Sequence, residues 1–328
     1  MIFGENDEGK RKKMNDILYL VVPCYNEEPV LPETVRELTK KLNSMIQSGL
    51  VSPESRMVFV NDGSKDRTWE LIEEYHESNP LVSGIKLSRN RGHQFAVLAG
   101  LMTVKEHCDM AITLDADLQD DIDVLDEFVR KYKEEGCEIV YGVRNSRETD
   151  TFFKRFTAES FYRLMSGMGV DIVFNHADYR LMSRKALDAL AEYKEVNLFL
   201  RGVVPLIGYK TGTVEYARKE RAAGESKYPL KKMLSFAMDG ITSFSIKPIR
   251  MITMLGVLAF IASIVMAVYT VVGFFMGTTV SGWASIIISI WGFGGLILIA
   301  LGMIGEYIGK IYMETKARPR YLVEKFLN

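Results

Sequence analysis

Two aspartates one residue apart, Asp115 and Asp117, follow a short apolar run that begins at Met110. Such a run is typical of a buried parallel strand, and we expect this strand to end at Asp115. Both carboxylates then lie at the carboxyl end of the strand, where open α/β sheets bind their ligands. Two hard oxygen donors in that position suit Mg²⁺ or Mn²⁺. The alternative is a solvated acidic turn, because an isolated D-x-D is common by chance.

Polar residues also follow the other apolar runs in the first half of the chain. These runs are 17–22, 57–60, 82–87 and 138–143, and helical stretches separate them. The alternation predicts a mostly parallel α/β sheet with helices on both faces, so that the polar clusters meet at one edge. We expect Pro23 to end the first strand, because proline cannot donate to the ladder. The clusters are Pro23–Glu27, Asp62–Gly63, Arg89–His93, Asp115–Gln119 and Arg144.

Motifs and composition exclude several classes of protein. No G-x-G-x-x-G follows the first strand, and the chain has no P-loop. The formal net charge of −1 gives no argument for nucleic acid as a partner. The three cysteines lack paired spacing, which indicates a reducing compartment and neither a disulfide framework nor a zinc site. Residues 1–16 are polar and charged, and we expect a disordered lead-in without a signal-peptide core.

A long apolar segment follows the sheet pattern, since residues 251–305 contain no Asp, Glu, Lys or Arg. Residues 251–276 and 283–304 are each long enough to span a bilayer, for which about 20 apolar residues suffice, so we expect a two-helix transmembrane hairpin. An apolar hairpin buried in a protein core is the alternative. Lys247 and Arg250 precede the spans, and a basic tail over 306–328 follows them. The positive-inside rule therefore places both termini and the large domain in the cytoplasm.

Two further segments, 153–168 and 230–244, carry their apolar residues on one helical face. Packing on a sheet is the commoner use of such a helix. The second segment lies directly before the first span and carries Lys231 and Lys232, which suit anionic headgroups. We therefore expect a juxtamembrane amphipathic helix over 229–250, whereas for 153–168 both interpretations stay open.

Four motifs at successive strand ends carry a family resemblance. "VPCYNE", "VNDGS", "SRNRGHQFAVLAG" and "LDADLQD" together resemble the family 2 glycosyltransferases of GT-A fold, which have a Rossmann-like sheet. The later segments "NHADYRLMSRKAL" and "RKERAAGESKYPLKKM" are similar to the polyprenyl-phosphate glycosyltransferases, the branch of dolichol-phosphate mannose synthases and bactoprenol glucosyltransferases. The resemblance implies a GT-A catalytic domain over 17–228.

On the donor side, the resemblance implies a nucleoside pocket and a metal site. Asp117 and Gln119 are the implied ligands of Mg²⁺ or Mn²⁺, which would stabilise the departing nucleoside diphosphate, and Asp115 lies nearer the ribose. His93, at a helix start, either donates to the diphosphate or is a plain first helical residue. The residues implied to line the nucleoside pocket are Pro23, Tyr25, Glu27 and Asp62.

On the acceptor side, a polyprenyl phosphate needs cationic and hydroxyl donors for its phosphate. The candidates are Arg144, Arg221, Ser226 and Lys227. Asp178 is the implied catalytic base. A phosphate monoester with a second pKa of ~6 is already mostly dianionic at pH 7, so Asp178 alternatively orients the acceptor or stabilises positive charge on the sugar.

The expected activity is the inverting transfer of glucose from UDP-glucose to undecaprenyl phosphate at the cytoplasmic face of a bacterial inner membrane. UDP-N-acetylglucosamine, GDP-mannose and a modified arabinose nucleotide are alternative donors. A membrane-tethered sugar-nucleotide sensor, or a partner of a flippase, is the non-catalytic alternative. Association into a homo-oligomer through the spans stays open.

Overall fold

The structure is a computed structural model that describes residues 16–144, 176–196, 199–217, 247–276 and 282–328. The described residues belong to two compact units. The first comprises residues 16–144, 176–196, 199–217 and 319–328, and the second comprises residues 247–276 and 282–318. The last ten residues therefore belong to the first unit, although the second unit precedes them in the chain.

The first unit is built on one eight-stranded sheet, with strand order β7-β5-β6-β4-β1-β2-β3-β8. The strands β6 and β8 run antiparallel to their neighbours, and the other pairs are parallel. The strands are β1 (Leu18–Cys24), β2 (Arg56–Asn61), β3 (Val82–Leu87), β4 (Met110–Thr113), β5 (Ile139–Arg144), β6 (His176–Ser183), β7 (Thr211–Tyr216) and β8 (Val323–Leu327). The helices of this unit are α1 (Leu31–Gln47), α2 (Thr68–Ser78), α3 (His93–Val104), α4 (Leu125–Glu135), α5 (Arg184–Ala191) and α6 (Leu200–Leu206).

Helices cover both faces of the central strands, which confirms the predicted α/β class. Every residue of β1 is buried, as expected of a strand that is covered on both sides. Leu20 belongs to the same apolar cluster as Leu38 of α1. On the opposite face a Cβ at Gly100 of α3 would lie 2.4 Å from Val21 Cγ1. Only glycine permits so close an approach of this helix to the sheet.

Two strand ends differ from the prediction. Pro23 lies inside β1, in register with Val60 of β2. The backbone of β1 alternates between its neighbours, since Leu114 N–H donates to Val21 O on the β4 side and Asp62 N–H donates to Cys24 O on the β2 side. The backbone of Pro23 thus faces the β4 side, where the pairing of β1 with β4 has already ended at Val21 and Thr113. Because no partner carbonyl of that ladder lies there, the missing N–H of Pro23 costs no hydrogen bond. The strand β4 ends at Thr113, two residues before Asp115.

Three strands, β6, β7 and β8, have no counterpart in the prediction. β7 pairs parallel with β5 at one end of the sheet. β6 inserts between β4 and β5 and pairs antiparallel with both. β8 covers the outer edge of β3 and falls within the segment that the sequence indicates only as a basic tail. Each strand is placed by pairing with residues far away in the chain, and such pairing leaves little local signal.

The second unit contains α7 (Lys247–Phe275) and α8 (Trp283–Lys316). In the described part of the chain one helical stretch, Gly292–Lys316, is long and apolar enough to cross a membrane by length and composition. Large apolar side chains such as Leu298 and Ile299 are exposed on it. A hairpin of two spans, 251–276 and 283–304, stays a prediction.

Candidate functional site

The D-x-D loop follows β4 and is fixed from two sides. Leu118 adopts a left-handed backbone conformation (φ +49°), which bends the loop so that Gln119 N–H donates to Asp117 Oδ1 at 3.2 Å. The buried Thr34 hydroxyl of α1 donates to Ala116 O at 2.6 Å. Asp117 and Gln119, the two implied metal ligands, are therefore neighbours in space.

His93 connects the D-x-D loop with Asp178. The imidazole Nε2 lies 3.7 Å from Asp115 Oδ1 and 3.7 Å from Asp178 Oδ2. Asp178 is in β6, whose backbone is tied to β4 because the Thr113 hydroxyl donates to Asp178 O. The start of α3, the loop after β4 and the strand β6 thus bring together three residues that belong to separate sequence motifs.

The environment of Asp115 disfavours its negative charge. Burial is the largest influence and raises the pKa of this carboxyl group. His93 lowers the pKa, whereas the carboxylates of Asp120, Asp178 and Asp117 raise it. A crowd of carboxylates that raise one another's pKa is a place where a bound cation relieves repulsion.

Asp178 has the opposite environment. Arg180 Nη2 donates to Asp178 Oδ1 at 2.5 Å, and Arg201 donates from Nε to Oδ1 at 3.2 Å and from Nη2 to Oδ2 at 2.9 Å. Burial alone would raise the pKa of Asp178, but the two guanidinium groups outweigh burial and hold the pKa well below its usual range. This carboxylate is therefore a permanent anion at neutral pH.

Neither arginine was foreseen in the sequence analysis. Arg180 follows Asp178 by two residues in β6, and the period of a strand places both side chains on one face, which is a signal that could have found it. Arg201 comes from α6, 23 residues further along the chain, and no local pattern links it to Asp178. Arg180 is 2% exposed and Arg201 34% exposed, so only Arg201 extends toward solvent.

Asp62 lies at the donor side of the edge, but its carboxylate is directed at the backbone. It accepts from Arg91 N–H at 2.7 Å (Oδ1) and from Gly92 N–H at 2.8 Å (Oδ2), and the residue is 3% exposed. Burial raises the pKa of this carboxyl group, and the two backbone donors oppose the rise. Asp62 thus holds the loop that leads into α3.

The loop after β1 is fastened to the loop after β2. Asn26 N–H donates to Ser64 Oγ at 3.0 Å, and Glu27 N–H donates to Thr68 Oγ1 at 2.9 Å. The Asn26 side chain does not cap α1, because its oxygen accepts from Lys65 N–H at 2.9 Å and α1 begins only at Leu31. Tyr25 keeps 42% of its surface exposed beside these contacts, as an aromatic face suited to stacking on a planar base.

Of the four predicted acceptor residues, the structure describes one. Arg144, at the end of β5, donates from Nε to the Tyr216 hydroxyl at 3.2 Å, and its Nη2 lies 3.6 Å from Asp120 Oδ1. The Tyr216 hydroxyl in turn donates to Asp120 at 2.6 Å. Arg144 is therefore linked to the acidic run behind the D-x-D. Arg221, Ser226 and Lys227, the segment 153–168 and most of the predicted helix 229–250 lie outside the described residues.

The chemistry of the donor set fits Mg²⁺ or Mn²⁺. Asp115, Asp117 and Gln119 offer carboxylate and amide oxygens, the ligands that these cations prefer. Among the described residues no group of three or more His, Cys, Asp or Glu side chains is arranged to hold a metal ion. Asp117 and Gln119 are the residues that would hold such an ion, and they would supply part of its oxygen ligands.

The sheet and the position of its D-x-D loop are those of the GT-A fold. Mannosyl-3-phosphoglycerate synthase from Rubrobacter xylanophilus shares the fold with a TM-score of 0.51 at 15% identity, over 74% of this chain and 77% of that chain. Residues 19–191 match the family described as Glycosyl transferase family 2. The chain belongs to glycosyl transferase family 2.

Relatives align over almost the full length. The chain is 54% identical over 313 residues to a Bacillus subtilis (strain 168) protein named uncharacterized glycosyltransferase YkoT, covering 95% of this chain and 93% of that protein. It is 41% identical over 317 residues to the bactoprenol glucosyl transferase of Shigella phage SfX, covering 93% and 98%. The prophage bactoprenol glucosyl transferase homolog of Escherichia coli (strain K12) is 40% identical over 316 residues.

Proposed function

We propose that this glycosyltransferase moves one glucosyl group, with inversion, from UDP-glucose to undecaprenyl phosphate at the cytoplasmic face of the bacterial inner membrane. The observation that carries the proposal is the meeting of Asp115 and Asp178 across His93, in a chain that is 41% identical to a bactoprenol glucosyl transferase. The cluster of Asp115, His93 and Asp178 supports a binding site for a charged sugar donor. The similarity to a bactoprenol glucosyl transferase supports a lipid acceptor and glucose as the sugar.

In the proposed reaction an oxygen of the acceptor phosphate attacks the anomeric carbon of the sugar. The new carbon–oxygen bond forms as the bond from that carbon to the donor diphosphate breaks, and the electron pair leaves with the nucleoside diphosphate. Asp117 and Gln119 are the residues we assign to hold Mg²⁺ or Mn²⁺, which supplies Lewis-acid stabilisation of the departing diphosphate. Tyr25, Glu27 and Pro23 are assigned to the nucleoside.

Asp178 acts in this proposal as a fixed anion. A carboxylate whose pKa is strongly lowered has little affinity for a proton, and the acceptor phosphate, with a second pKa of ~6, arrives largely ionised. The charge of Asp178 instead orients Arg201 and faces the position where positive charge develops on the sugar. Arg144 is assigned to the acceptor phosphate, together with Arg221, Ser226 and Lys227.

The apolar stretch Gly292–Lys316 supports attachment to a membrane, where a polyprenyl acceptor resides. The basic residues on both sides of 251–305 support a cytoplasmic catalytic unit. A two-span hairpin with both termini in the cytoplasm is the topology that accounts for both features.

A donor competition experiment tests the proposal. Full-length protein in detergent receives undecaprenyl phosphate and radiolabelled UDP-glucose, and unlabelled UDP-glucose, UDP-N-acetylglucosamine, GDP-mannose or a modified arabinose nucleotide competes. We expect labelled lipid that disappears most with unlabelled UDP-glucose. Stronger competition by another nucleotide overturns the donor assignment. Product from a phosphatase-treated acceptor overturns the lipid-phosphate assignment, and nucleotide binding without product from any donor favours a sensor.

A further inference from the structure

We propose that residues 319–322, the segment between α8 and β8, form part of the donor site by acting through Arg91. Arg91 is a positioning residue: it fastens the loop Ser88–Gly92 to the carbonyl group of Pro319 and so sets where α3 begins. The proposal rests on the proposed function, because the ligand it concerns is a nucleoside diphosphate.

Two hydrogen bonds connect the loop Ser88–Gly92 with residues 319–322. Ser88 N–H donates to Leu322 O at 3.0 Å, and Arg91 Nη2 donates to Pro319 O at 3.1 Å. One bond lies at the first residue of the loop and the other near its end, so the segment runs along the loop. Both acceptors are main-chain carbonyl groups, and the contact therefore depends on the path of the segment rather than on its side chains.

The opposite side of the loop is also fixed. Asp62 accepts from the backbone of Arg91 and Gly92, and a Cβ at Gly63 would lie 2.5 Å from Asn90 N. The loop is thus enclosed between the turn after β2 and residues 319–322. Because α3 begins directly after the loop, the place of His93, 3.7 Å from Asp115, depends on both supports.

Residues 319–322 also contact the loop that precedes α6, the helix that carries Arg201. Arg320 Nη1 donates to Tyr193 O at 2.8 Å, in the loop between α5 and α6. The helix α6, which carries Arg201, begins where Leu200 N–H donates to Gln94 Oε1 at 3.0 Å. His93 and Arg201, which approach Asp178 from different elements, thus both follow loops that the segment supports.

A purely structural role is the competing interpretation, since an added strand protects a sheet edge. β8 pairs with β3 from Gly84↔Leu327 to Leu87↔Val323, and exposed ion pairs accompany it, Lys86–Glu324 at 2.9 Å and Lys325–Glu73 at 2.8 Å. Exposed ion pairs contribute little to stability. Lys325 therefore offers a matched control, a cation on the same edge that has no contact with the loop in the described structure.

The experiment measures UDP binding by calorimetry with Mn²⁺ present, together with KM and kcat for donor and acceptor, on full-length protein. We expect Arg91→Met to weaken UDP binding and raise the donor KM by about tenfold, with the acceptor KM unchanged, because a hydrogen bond from a charged donor is lost. Lys325→Met leaves all these values unchanged.

A second variant separates positioning from direct contact of Arg91 with the donor. Two glycines inserted between Pro319 and Arg320 keep β8 intact but release the Pro319 carbonyl. If Arg91 acts through this carbonyl, Arg91→Met has no further effect in the insertion variant. If Arg91→Met weakens UDP binding in the insertion variant as much as it does in the wild-type protein, the proposal is overturned. Unchanged UDP binding in both single variants also overturns it. A wild-type protein that binds no UDP overturns the donor assignment itself, which is a different outcome.

Discussion

Arg201 donates hydrogen bonds to both carboxylate oxygens of Asp178, at 3.2 Å and 2.9 Å. Together with Arg180 it lowers the pKa of Asp178 in the folded protein. The negative charge of Asp178 therefore stabilises the fold at every pH above the pKa of an unfolded aspartate. This stabilisation is lost only as the pH falls through the lower pKa of the folded protein. Between about pH 5 and 8 Asp178 does not titrate, and this relationship constrains the mechanism.

The first prediction concerns the pH profile. We expect kcat/KM for the acceptor to fall below about pH 6, with the second pKa of the acceptor phosphate. Asp178→Asn should lower the rate but keep the same acid limb. An acid limb that disappears in Asp178→Asn would identify Asp178 as the titrating base.

The second prediction concerns stability. Asp178→Ala removes the carboxylate that pairs with Arg180, which is 2% exposed, and removal of one partner of a buried ion pair costs about 3–5 kcal/mol. Arg201→Met leaves the Asp178–Arg180 pair intact and removes a partly exposed cation, so its cost is about 1 kcal/mol or less. Thermal unfolding of the detergent-solubilised protein measures both variants. Equal shifts of Tm would contradict the assignment of Arg180 as the buried partner.

The third prediction concerns the metal. Asp117→Asn should reduce Mn²⁺-dependent transfer by about 100-fold or more, because the metal contributes several kcal/mol to the stabilisation of developing charge. Electron paramagnetic resonance of Mn²⁺ in the presence of UDP gives a readout independent of turnover. Asp123→Asn changes an exposed carboxylate in the same acidic run and is the control. Unaltered Mn²⁺ binding in Asp117→Asn would remove this residue from the metal shell.

The fourth prediction concerns Gly92, the residue before α3, which has φ +89° and ψ 157°. This backbone region is essentially restricted to glycine, so Gly92→Ala costs about 1–3 kcal/mol although nothing lies within 4 Å of the added Cβ. The strain should move the loop and weaken UDP binding. Gly49→Ala, at φ +70° and also in open space, is the control: it costs about 1 kcal/mol and leaves UDP binding intact. Equal UDP affinity in the two variants would contradict a role of the loop in donor binding.

The fifth prediction concerns topology. A cysteine at Ser281 should react with a membrane-impermeant maleimide in intact cells, and one at Glu314 only after the membrane is opened. The native cysteines give little background, since all three are buried and burial raises the pKa of Cys108 to about 12. Labelling of Glu314→Cys from outside would reverse the proposed orientation.

Local patterns were sufficient to predict the first five strands and the edge where Asp62, His93 and Asp115 gather, because each strand is a short apolar run that ends in polar residues. They were insufficient for β6, β7 and β8, whose places depend on pairing with strands that are distant in the chain. Arg201 was not predicted either, because it contacts Asp178 from α6, 23 residues further along the chain. The outcome at Asp62 shows a further limit, since its residue type does not reveal that backbone N–H groups occupy both oxygens.

The pairing of β3 with β8 has a consequence for biosynthesis. β8 ends at Leu327, about 80 residues after α7 begins at Lys247. At translation rates of about 5–20 residues per second, the ribosome needs roughly 4–16 s to cover that distance. During this interval the apolar helices emerge while the outer edge of β3 is still open and Arg91 still lacks the Pro319 carbonyl. The newly made protein therefore completes its catalytic sheet only after its apolar segments have been translated.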